Sequence, residues 1–434
     1  MAGAERIAWK TFKKAAKLNL GRVRYDASAP AVIRRDPVIP REPTIVVQSN
    51  SHIKVTSVRS GKLEEIHVSA VPHSPRNPAR AQTTALYAEV LERLDDPRSL
   101  RIVVERVFGK LSAKDAFLSA RADALKPTGM SPEGPITYIE GAPVEGNGLA
   151  GVHLTLVRGD SPDVRIQPIG EGENAAGFSV TTGDVCRAYL SAVHGLDPAA
   201  PGASSVAQAR RMFDRADALL RAAGLTYSKV ACTRIYLRRL LEWYNEFNGV
   251  RTPWYRKLGL MNGEKSSRIP ASTGIQGKIS DDCECFMDVL AVSKGPGDAC
   301  PFTRLSSPLQ NEATDYGSSF ARGVCVDVPD VRYVLISGTA AIDENGRSVH
   351  PDDPVGQTRR TISNFEAILR AGGASLADLI HVVWYCKDPS HAKIIRRETK
   401  AGGWPQFPYP IVCAEVCRDE LLVEVDGSAV FQTA

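Results

Sequence analysis

Long apolar stretches are absent from this sequence of 434 residues. No apolar run approaches the roughly 20 residues that a membrane-spanning helix needs, so we expect a soluble protein that does not enter a membrane. The N-terminus also lacks the apolar core of a secretory signal, which predicts a cytoplasmic protein with reduced thiols.

Metal-binding patterns are scarce as well. The nine cysteines form no CxxC pair, and no cluster of histidines accompanies Cys283 and Cys285, which are one residue apart. We therefore expect neither a zinc site nor another metal site.

Long runs of basic residues are also missing, and the formal net charge is only +5. This distribution does not indicate a nucleic-acid groove, whereas a mild positive excess suits a small anionic substrate. The length exceeds what one ordinary core can organise, so about two to four domains are expected.

A threefold internal repeat organises the chain. Residues 206–236 match residues 355–385 at a constant offset of 149 positions, and each copy carries a Gln, an Arg-Arg pair and a final Tyr. Each copy is typical of a helix with a Gly stop, then a second helix start and a strand, and a strand precedes it. A fainter third copy lies upstream, between residues 66 and 157.

The repeat predicts an α+β fold of three tandem units that form an internal pseudo-trimer. Each unit is expected to be a mixed sheet with helices on one face, ending in a hairpin. The predicted boundaries give a basic N-terminal extension at 1–40, a degenerate unit at 41–162, a central unit at 163–300 and a C-terminal unit at 301–434. Such a chain would be a monomer or assemble into a higher homo-oligomer.

Residues 410–426 place a carboxyl group among apolar residues. Two apolar runs joined by the polar step 418–420 predict a hairpin, and alternation puts Glu424 and Asp426 on one face of its second strand. Cys417, just before the turn, could lie near Glu424. Desolvation would raise the pKa of the carboxyl group and make it a proton donor near neutral pH. The alternative is that Glu424 lies on a solvated face and Cys417 is a small core residue.

The three units resemble the Rid family, also called YjgF or UK114, whose subunits assemble as trimers with clefts at their interfaces. The C-terminal unit carries the pattern in residues 336–338, 343–346, 357–358 and 371–378. Deaminating members have an Arg shortly after a Pro in the last segment, where it holds the substrate carboxylate. Ile411 occupies that position here, which counts against enamine or imine deaminase activity.

The second and third units resemble chorismatases, which are enzymes that split pyruvate from chorismate. The matching stretches together span roughly residues 180–430, and they include 236–252, 270–277, 311–323, 337–343 and 416–424. The resemblance implies a cofactor-independent enzyme in which Glu424 protonates the vinyl carbon of the enol ether. It also implies a product subtype, because members with Cys at the Cys417 position form 3-hydroxybenzoate and members with Ala form a dihydrodiol.

Chorismate carries two carboxylates and a ring. A site for it therefore needs cationic side chains that bind the carboxylates and backbone that can approach the ligand closely. Arg251 and Arg322 are candidate carboxylate clamps, because a guanidinium group binds a carboxylate with two hydrogen bonds, and Arg418 is a third candidate. The further substrate-binding candidates are a helical tyrosine and two Gly-Thr pairs at which backbone can approach a ligand: Tyr244, Thr273, Gly274, Gly338 and Thr339.

Purely structural roles remain open for all of these residues. The arginines could form salt bridges to Glu246 or Glu312, Tyr244 could be a core residue, and the Gly-Thr pairs could be turns. Two other functions also stay open: a related enzyme that acts on another carboxylated enol ether or imine, and a catalytically silent module that binds a metabolite or a partner protein. The sequence does not decide whether Cys417 is a nucleophile or shapes the pocket.

Overall fold

A computed structural model describes residues 44–170, 175–261, 268–295 and 302–433. The predicted basic extension at residues 1–40 lies outside them. The described chain forms three mixed sheets, and we refer to the residues around each sheet as the first, second and third units. Among the described residues, no helix is both long enough and apolar enough to cross a membrane.

The six-stranded sheet of the first unit has the strand order β1-β2-β3-β7-β4-β5. Its elements are β1 Ile45–Ser49, β2 Ile53–Ser60, β3 Leu63–Ala70, α1 Ala79–Glu92, β4 Leu100–Gly109, α2 Lys114–Leu125, β5 Thr137–Glu140, β6 Ala142–Pro143 and β7 Leu149–Arg158.

The second unit repeats this topology, with the strand order β8-β9-β10-β13-β11-β12. Its elements are β8 Val164–Ile169, β9 Gly177–Thr182, β10 Val185–His194, α3 Ser205–Ala222, β11 Val230–Leu237, α4 Leu240–Lys257, β12 Ala271–Gln276 and β13 Cys285–Lys294.

The third unit has the same order, β14-β15-β16-β19-β17-β18, and β6 of the first unit extends its edge. Its elements are β14 Phe302–Leu305, β15 Gly323–Val328, β16 Val331–Ala340, α5 Pro354–Ala371, β17 Leu379–Cys386, α6 His391–Ala401, β18 Ile411–Cys413 and β19 Val423–Gln432.

The long helices follow local sequence signals. Asp353 caps α5 by accepting hydrogen bonds from the backbone N–H groups of Val355 and Gly356, and Pro354 occupies the first helical position. Ser204 caps α3 in the same manner. The apolar faces of α3 and α5 pack on their sheets, which buries Phe213 and Phe365 completely. The prediction of mixed sheets with helices is therefore confirmed.

The predicted closing hairpins are wrong in all three units. In the third unit, β17 lies between β18 and β19: it pairs in parallel with β18 and antiparallel with β19. The polar step 418–420 therefore passes over the end of β17, where the backbone N–H of Lys387 donates to the carbonyl of Leu422. Alternation identifies a strand and a polar step identifies a loop, but neither indicates whether another strand separates the two.

The three sheets meet at a shared core with threefold equivalent positions. Phe108, Tyr236 and Tyr385 lie on β4, β11 and β17 and pack in one buried cluster. Each pairs with a residue of the adjacent central strand, so Gly151, Phe286 and Glu424 are equivalent positions. The register thus shows that one of the three positions carries an acid.

Ion pairs join two of the three interfaces near this core. Arg106 of the first unit lies 2.8 Å from Asp288 of the second, and Arg234 of the second lies 3.5 Å from Asp426 of the third. The equivalent positions at the third interface hold Val383 and His153, and the His153 ring stacks on His381 with centroids 4.7 Å apart. The third interface therefore replaces an ion pair by stacked imidazoles.

Candidate active site

Glu424 lies on β19, a central strand of the third sheet. It pairs with Ala340 on β16 and with Tyr385 on β17, and only 3% of it is exposed. Side chains alternate along the strand, so Val423 and Val425 join the core of the third unit and Glu424 faces the other way. The interpretation of Glu424 as a solvated surface residue is therefore wrong.

A bulge in β16 makes room for this carboxyl group. The register between β16 and β19 shifts between Ile336 and Thr339, and Gly338 lies within the shift. A methyl group on Gly338 would overlap Oε1 of Glu424 and lie 3.1 Å from Cγ2 of Thr273. Gly338 is needed for this close approach rather than for an unusual backbone angle.

Strand β12 of the second unit closes the other side of the bulge. The backbone N–H of Gly338 donates to Oγ1 of Thr273 at 3.0 Å, and the N–H of Ser272 donates to Oγ of Ser337 at 2.8 Å. A methyl group built on Gly274 would reach the Tyr244 ring at ordinary contact distance, so Gly274 lies beside this ring. The predicted Thr273, Gly274 and Gly338 therefore meet where the second and third units join.

The electrostatic environment of Glu424 favours its protonated form. Burial raises the pKa of Glu424 to about 8, the negative charge of Asp426 adds to the increase, and Arg322 opposes it. A carboxyl group with this pKa is largely protonated at pH 7, so it can donate a proton.

Arg322 acts on this acid, Arg251 acts on Tyr244 and Arg418 on Cys417, and none of the three arginines forms a salt bridge with a described carboxylate. Arg251 donates to Oδ1 of Asn248 at 2.6 Å, and Arg322 donates to the carbonyl of Asn311 at 2.8 Å. Arg418 donates to the carbonyl of Gly346 at 2.9 Å.

Glu312, one of the two carboxylates considered as partners, instead pairs with Arg304 at 2.8 Å. The salt-bridge alternative for the three arginines is therefore not what the described residues show. Their positive charges remain available to balance an anion.

Two aromatic rings connect the three guanidinium groups. The guanidinium carbons of Arg251 and Arg322 lie 5.8 and 5.4 Å from the ring centre of Phe320. Those of Arg322 and Arg418 lie 5.4 and 5.0 Å from the ring centre of Tyr316. These are cation–π distances, which hold the arginines in place without neutralising them.

A cleft of about 610 Å³ opens beside these groups. We call it the first cleft, and its wall includes Tyr244, Tyr316, Phe320, Cys417 and Arg418. Its volume falls within the range of about 300–1,000 Å³ that is usual for small-molecule sites. Glu424, Arg251 and Arg322 do not line it and are almost completely buried.

Two further groups in the wall are held in their neutral forms. Burial raises the pKa of the Cys417 thiol to about 12, and the charge of nearby Glu424 contributes. Burial also raises the pKa of Tyr244 to about 12, although the charge of Arg251 opposes the increase. The predicted proximity of Cys417 and Glu424 is therefore present, although the two residues do not form a hairpin.

Two further residues that the sequence analysis considered, Thr339 and Ile411, do not line the first cleft. The hydroxyl of Thr339 donates to the carbonyl of Ser337 at 2.9 Å, a local role in the bulge rather than a contact with the cleft. Ile411, at the position of the deaminase Arg, is buried in the core of the third unit beside Trp384.

Sequence reasoning missed Tyr316, Phe320 and Asp426 as functional residues. Tyr316 and Phe320 lie in the matched stretch 311–323, and Asp426 lies two positions after Glu424. Their roles depend on contacts that sequence spacing does not reveal.

The fold and the first cleft define an α+β protein of three like units with an acid near an inter-unit cleft. A family model described as Endoribonuclease L-PSP matches residues 319–430. A RutC family protein from Pyrococcus horikoshii is 33% identical over 100 residues, which are 22% of this chain and 78% of that protein. The chain belongs to this family, whose domain is also called Rid or YjgF.

One solved structure among the matches shares this architecture. A crystal structure of a chorismatase matches with a TM-score of 0.54 and 18% identity, covering 78% of this chain and 95% of that chain. A YjgF family member from Neisseria meningitidis matches with a TM-score of 0.25 and 19% identity, covering 31% of this chain and 99% of that one. The chorismatase likeness shows a shared fold across the units.

Proposed function

We propose that this protein is a chorismatase that cleaves the enolpyruvyl ether of chorismate and releases pyruvate. The observation that carries the proposal is a buried, protonated Glu424 beside a cluster of three arginines that have no carboxylate partners among the described residues. The acid supplies the proton that ether cleavage requires, and the arginines suit a dianionic substrate. The fold shared with a chorismatase supports this assignment.

In the proposed reaction, Glu424 transfers its carboxyl proton to the methylene carbon of the enol ether. This forms a C–H bond from the C=C π electrons and leaves an oxocarbenium-like cation on the former vinyl carbon. The bond between the ring and the ether oxygen then breaks with its electron pair on oxygen, which releases pyruvate, and the ring loses one proton to become 3-hydroxybenzoate. Burial favours the step because it raises the pKa of the carboxyl group, so that Glu424 still carries its proton at neutral pH and can transfer it. None of the steps that we propose requires a metal or an organic cofactor.

The second product is proposed to be 3-hydroxybenzoate. Chorismate has the composition of pyruvate plus 3-hydroxybenzoate, so this outcome consumes no net water, whereas a dihydrodiol would incorporate one water molecule. Cys417 supports the former product through the subtype resemblance. Its neutral thiol lies in the cleft wall, where it can shape the pocket, and it would have to lose its proton before it could attack the ring.

Arg251, Arg322 and Arg418 are proposed to hold the two carboxylates, with Tyr244 as a hydroxyl donor at the wall. Arg418 and Tyr244 line the first cleft directly. Arg251 and Arg322 are buried, and their guanidinium groups lie 5.8 and 5.4 Å from the ring centre of Phe320, which lines the cleft. Thr273, Gly274, Gly338 and Thr339 are proposed to position Glu424 and the cleft wall.

The test is incubation of the purified protein with chorismate. Pyruvate is measured with lactate dehydrogenase, and aromatic products are separated by chromatography beside a heat-denatured control. Equal amounts of pyruvate and 3-hydroxybenzoate support the full proposal. Pyruvate with a dihydrodiol retains the chorismatase and changes its subtype, whereas unchanged chorismate favours another carboxylated enol ether or imine as the substrate.

A further inference from the structure

A small cavity of about 70 Å³ lies among the three sheets, and we call it the central cavity. All three units line it, through β3 and β4 of the first, β10 and β11 of the second, and β16 and β17 of the third. Among the described residues, neither Glu424 nor any residue that lines the first cleft belongs to its wall. Since one buried water molecule needs roughly 10–15 Å³, the central cavity has room for several particles of that size.

Three different side chains occupy threefold equivalent positions in the wall of the central cavity. They are Glu65 on β3, Arg187 on β10 and Tyr333 on β16. Each pairs with a valine on the central strand of its sheet, and the three valines lie equally far along β7, β13 and β19 from the equivalent positions identified above. Three identical subunits would place three copies of one side chain here. This chain instead brings together an acid, a base and a phenol.

The acid of this trio already has partners for both of its oxygens. The hydroxyl of Tyr333 donates to Oε2 of Glu65 at 2.7 Å, and the hydroxyl of Tyr189 donates to Oε1. Burial would raise the pKa of Glu65, but the charge of Arg187, together with His67 and the two hydroxyls, holds it below its usual value. Glu65 is therefore ionised, and its acceptor atoms are engaged.

Hydrogen-bond donors in the same wall have no partners among the described residues. They are Nη1 of Arg187, whose side chain is 3% exposed, and Nε of Arg234. Nε2 of His67 is also buried without a partner, while Nδ1 lies 3.3 Å from Oγ1 of Thr155. When the Thr155 hydroxyl donates to Nδ1, Nε2 carries the proton of the neutral ring. Because a buried donor without an acceptor is costly, these groups indicate that an acceptor occupies the central cavity.

The charges of the wall favour an anion over a cation. Three arginines and two carboxylates of the described chain line the central cavity. Nε of Arg187 lies 3.6 Å from Oε2 of Glu65, and Nε of Arg234 lies 3.5 Å from Asp426, which is outside the wall. Both distances exceed the roughly 2.7–2.9 Å of a close charge-assisted hydrogen bond. Two guanidinium groups can therefore donate to a further acceptor.

We propose that the central cavity binds a small monovalent inorganic anion of the halide class, held by the guanidinium group of Arg187 and the Nε2–H of His67. A halide ion accepts hydrogen bonds and donates none, so it satisfies the donors that the fold leaves without partners. Because all three units line the site, the bound anion stabilises their assembly into one core. The anion site does not rest on the proposed function, since its residues are separate from the first cleft.

Bromide is the probe for a crystallographic test, because it replaces chloride and scatters X-rays anomalously. Crystals of the full chain are soaked in sodium bromide, and data are collected at the bromine absorption edge. We expect an anomalous peak in the central cavity, within hydrogen-bonding distance of Nη1 of Arg187 and Nε2 of His67. Water at this position, with bromide on the protein surface as an adventitious ion only, would overturn the proposal.

Thermal unfolding tests the same site in solution. The full chain is titrated with sodium bromide against sodium gluconate at constant ionic strength, so that general screening of charges stays fixed. Gluconate is too large for a cavity of this size. The unfolding temperature should rise with bromide and level off, because the anion binds the folded chain and not the unfolded one. Equal unfolding temperatures in bromide and gluconate would contradict the proposal.

A histidine variant with a matched control sharpens the solution test. His67→Phe keeps a planar ring, removes one donor and leaves no charge unpaired, because His67 is neutral. The variant should need about tenfold more bromide for the same response, since a hydrogen bond to an ion is lost. His350→Phe changes an exposed histidine that does not line the central cavity, and it should respond as the wild type does.

Circular dichroism shows whether each variant is folded. A wild-type response from folded His67→Phe would overturn the site as proposed. If His67→Phe does not fold, the anomalous map of the wild type decides the proposal by itself. Chorismate turnover enters neither measurement, so the proposed function and the anion site are accepted or rejected separately.

Discussion

Asp426 is the residue next to Glu424 on the same face of β19, and it interacts both with Glu424 and with an arginine of the second unit. Its charge contributes to the raised pKa of Glu424, and Arg234 of the second unit lies 3.5 Å from it. A residue outside the first cleft therefore helps to set the proton affinity of the acid. Alternation along a strand predicts that Asp426 and Glu424 share a face. The effect of Asp426 on the pKa of Glu424 also depends on burial and on a cation from a distant part of the sequence.

Asp426→Asn should move the alkaline limb of the pH profile of kcat/KM to lower pH. Wild-type activity should decline above pH about 8, as Glu424 loses its proton. Removing the Asp426 charge, while Arg234 stays charged, lowers the pKa of Glu424 and should move this decline by about one pH unit. Asp419→Asn, in the exposed loop before β19, is the control. An unmoved limb in a variant shown to be folded by circular dichroism would reject the role of Asp426.

Cys417→Ala should change the product and not the first step. The variant removes a small group from the cleft wall at a cost of about 1 kcal/mol in the free energy of unfolding. Pyruvate release should continue because Glu424 is unchanged, and the other product should change from 3-hydroxybenzoate toward a dihydrodiol. Chromatography measures the ratio. An unchanged product would remove the subtype assignment and leave the proton transfer in place.

At the scale of elements, the bulge in β16 shows what sequence patterns do and do not predict. The sequence identified β16, β19 and Gly338 correctly as parts of one region. It gave the wrong partner for β18, because pairing between strands depends on which strand lies between them in space. It could not predict that the bulge directs Gly338 toward Glu424, since a shift in register is not visible in residue spacing.

Gly338→Ala tests whether this bulge positions the acid. The added methyl group would overlap Oε1 of Glu424, so the carboxyl group must move. A displacement of about 1 Å at a catalytic group costs on the order of 100-fold in rate, so kcat should fall by about 10- to 100-fold. Gly274→Ala, where the methyl group makes ordinary contact with Tyr244, should lose much less. Equal steady-state rates for the two variants would contradict this role.

At the scale of the whole molecule, the repeat predicted three units and their assembly into one pseudo-trimer. It could not predict that the three interfaces differ, because the differences arise from single positions. Arg106 and Arg234 form ion pairs across two interfaces, while Val383 at the third cannot. Only the alignment of paired strands in space shows that Gly151, Phe286 and Glu424 are equivalent.

The stacked imidazoles at the third interface predict loss of stability in acid. Burial, together with the charges of Arg106 and Arg234, holds the pKa of His153 well below its usual value, and the pKa of His381 is lowered for the same reasons and by His153 and His67. The unfolded chain, in which a histidine has a pKa of about 6.5, binds more protons. The free energy of unfolding therefore falls as the pH decreases below about 6.5.

His153→Gln should weaken this dependence, because an amide does not titrate. Between pH 7 and 5, the free energy of unfolding should fall by about 1–2 kcal/mol less than in the wild type, measured by urea denaturation. His350→Gln changes an exposed histidine and should leave the wild-type dependence intact. Parallel curves for His153→Gln and the wild type would show that the imidazole stack does not limit stability in acid.

The most direct test of the proposed function is pyruvate release from chorismate by Glu424→Gln. The amide retains the shape of the side chain and lacks the transferable proton, so turnover should fall by about 10²- to 10⁴-fold in a folded protein. Glu415→Gln changes a part-exposed carboxylate that pairs with Lys387 at 2.9 Å, and it should retain nearly full activity. Wild-type pyruvate release by Glu424→Gln would contradict the account of Glu424 as the proton donor.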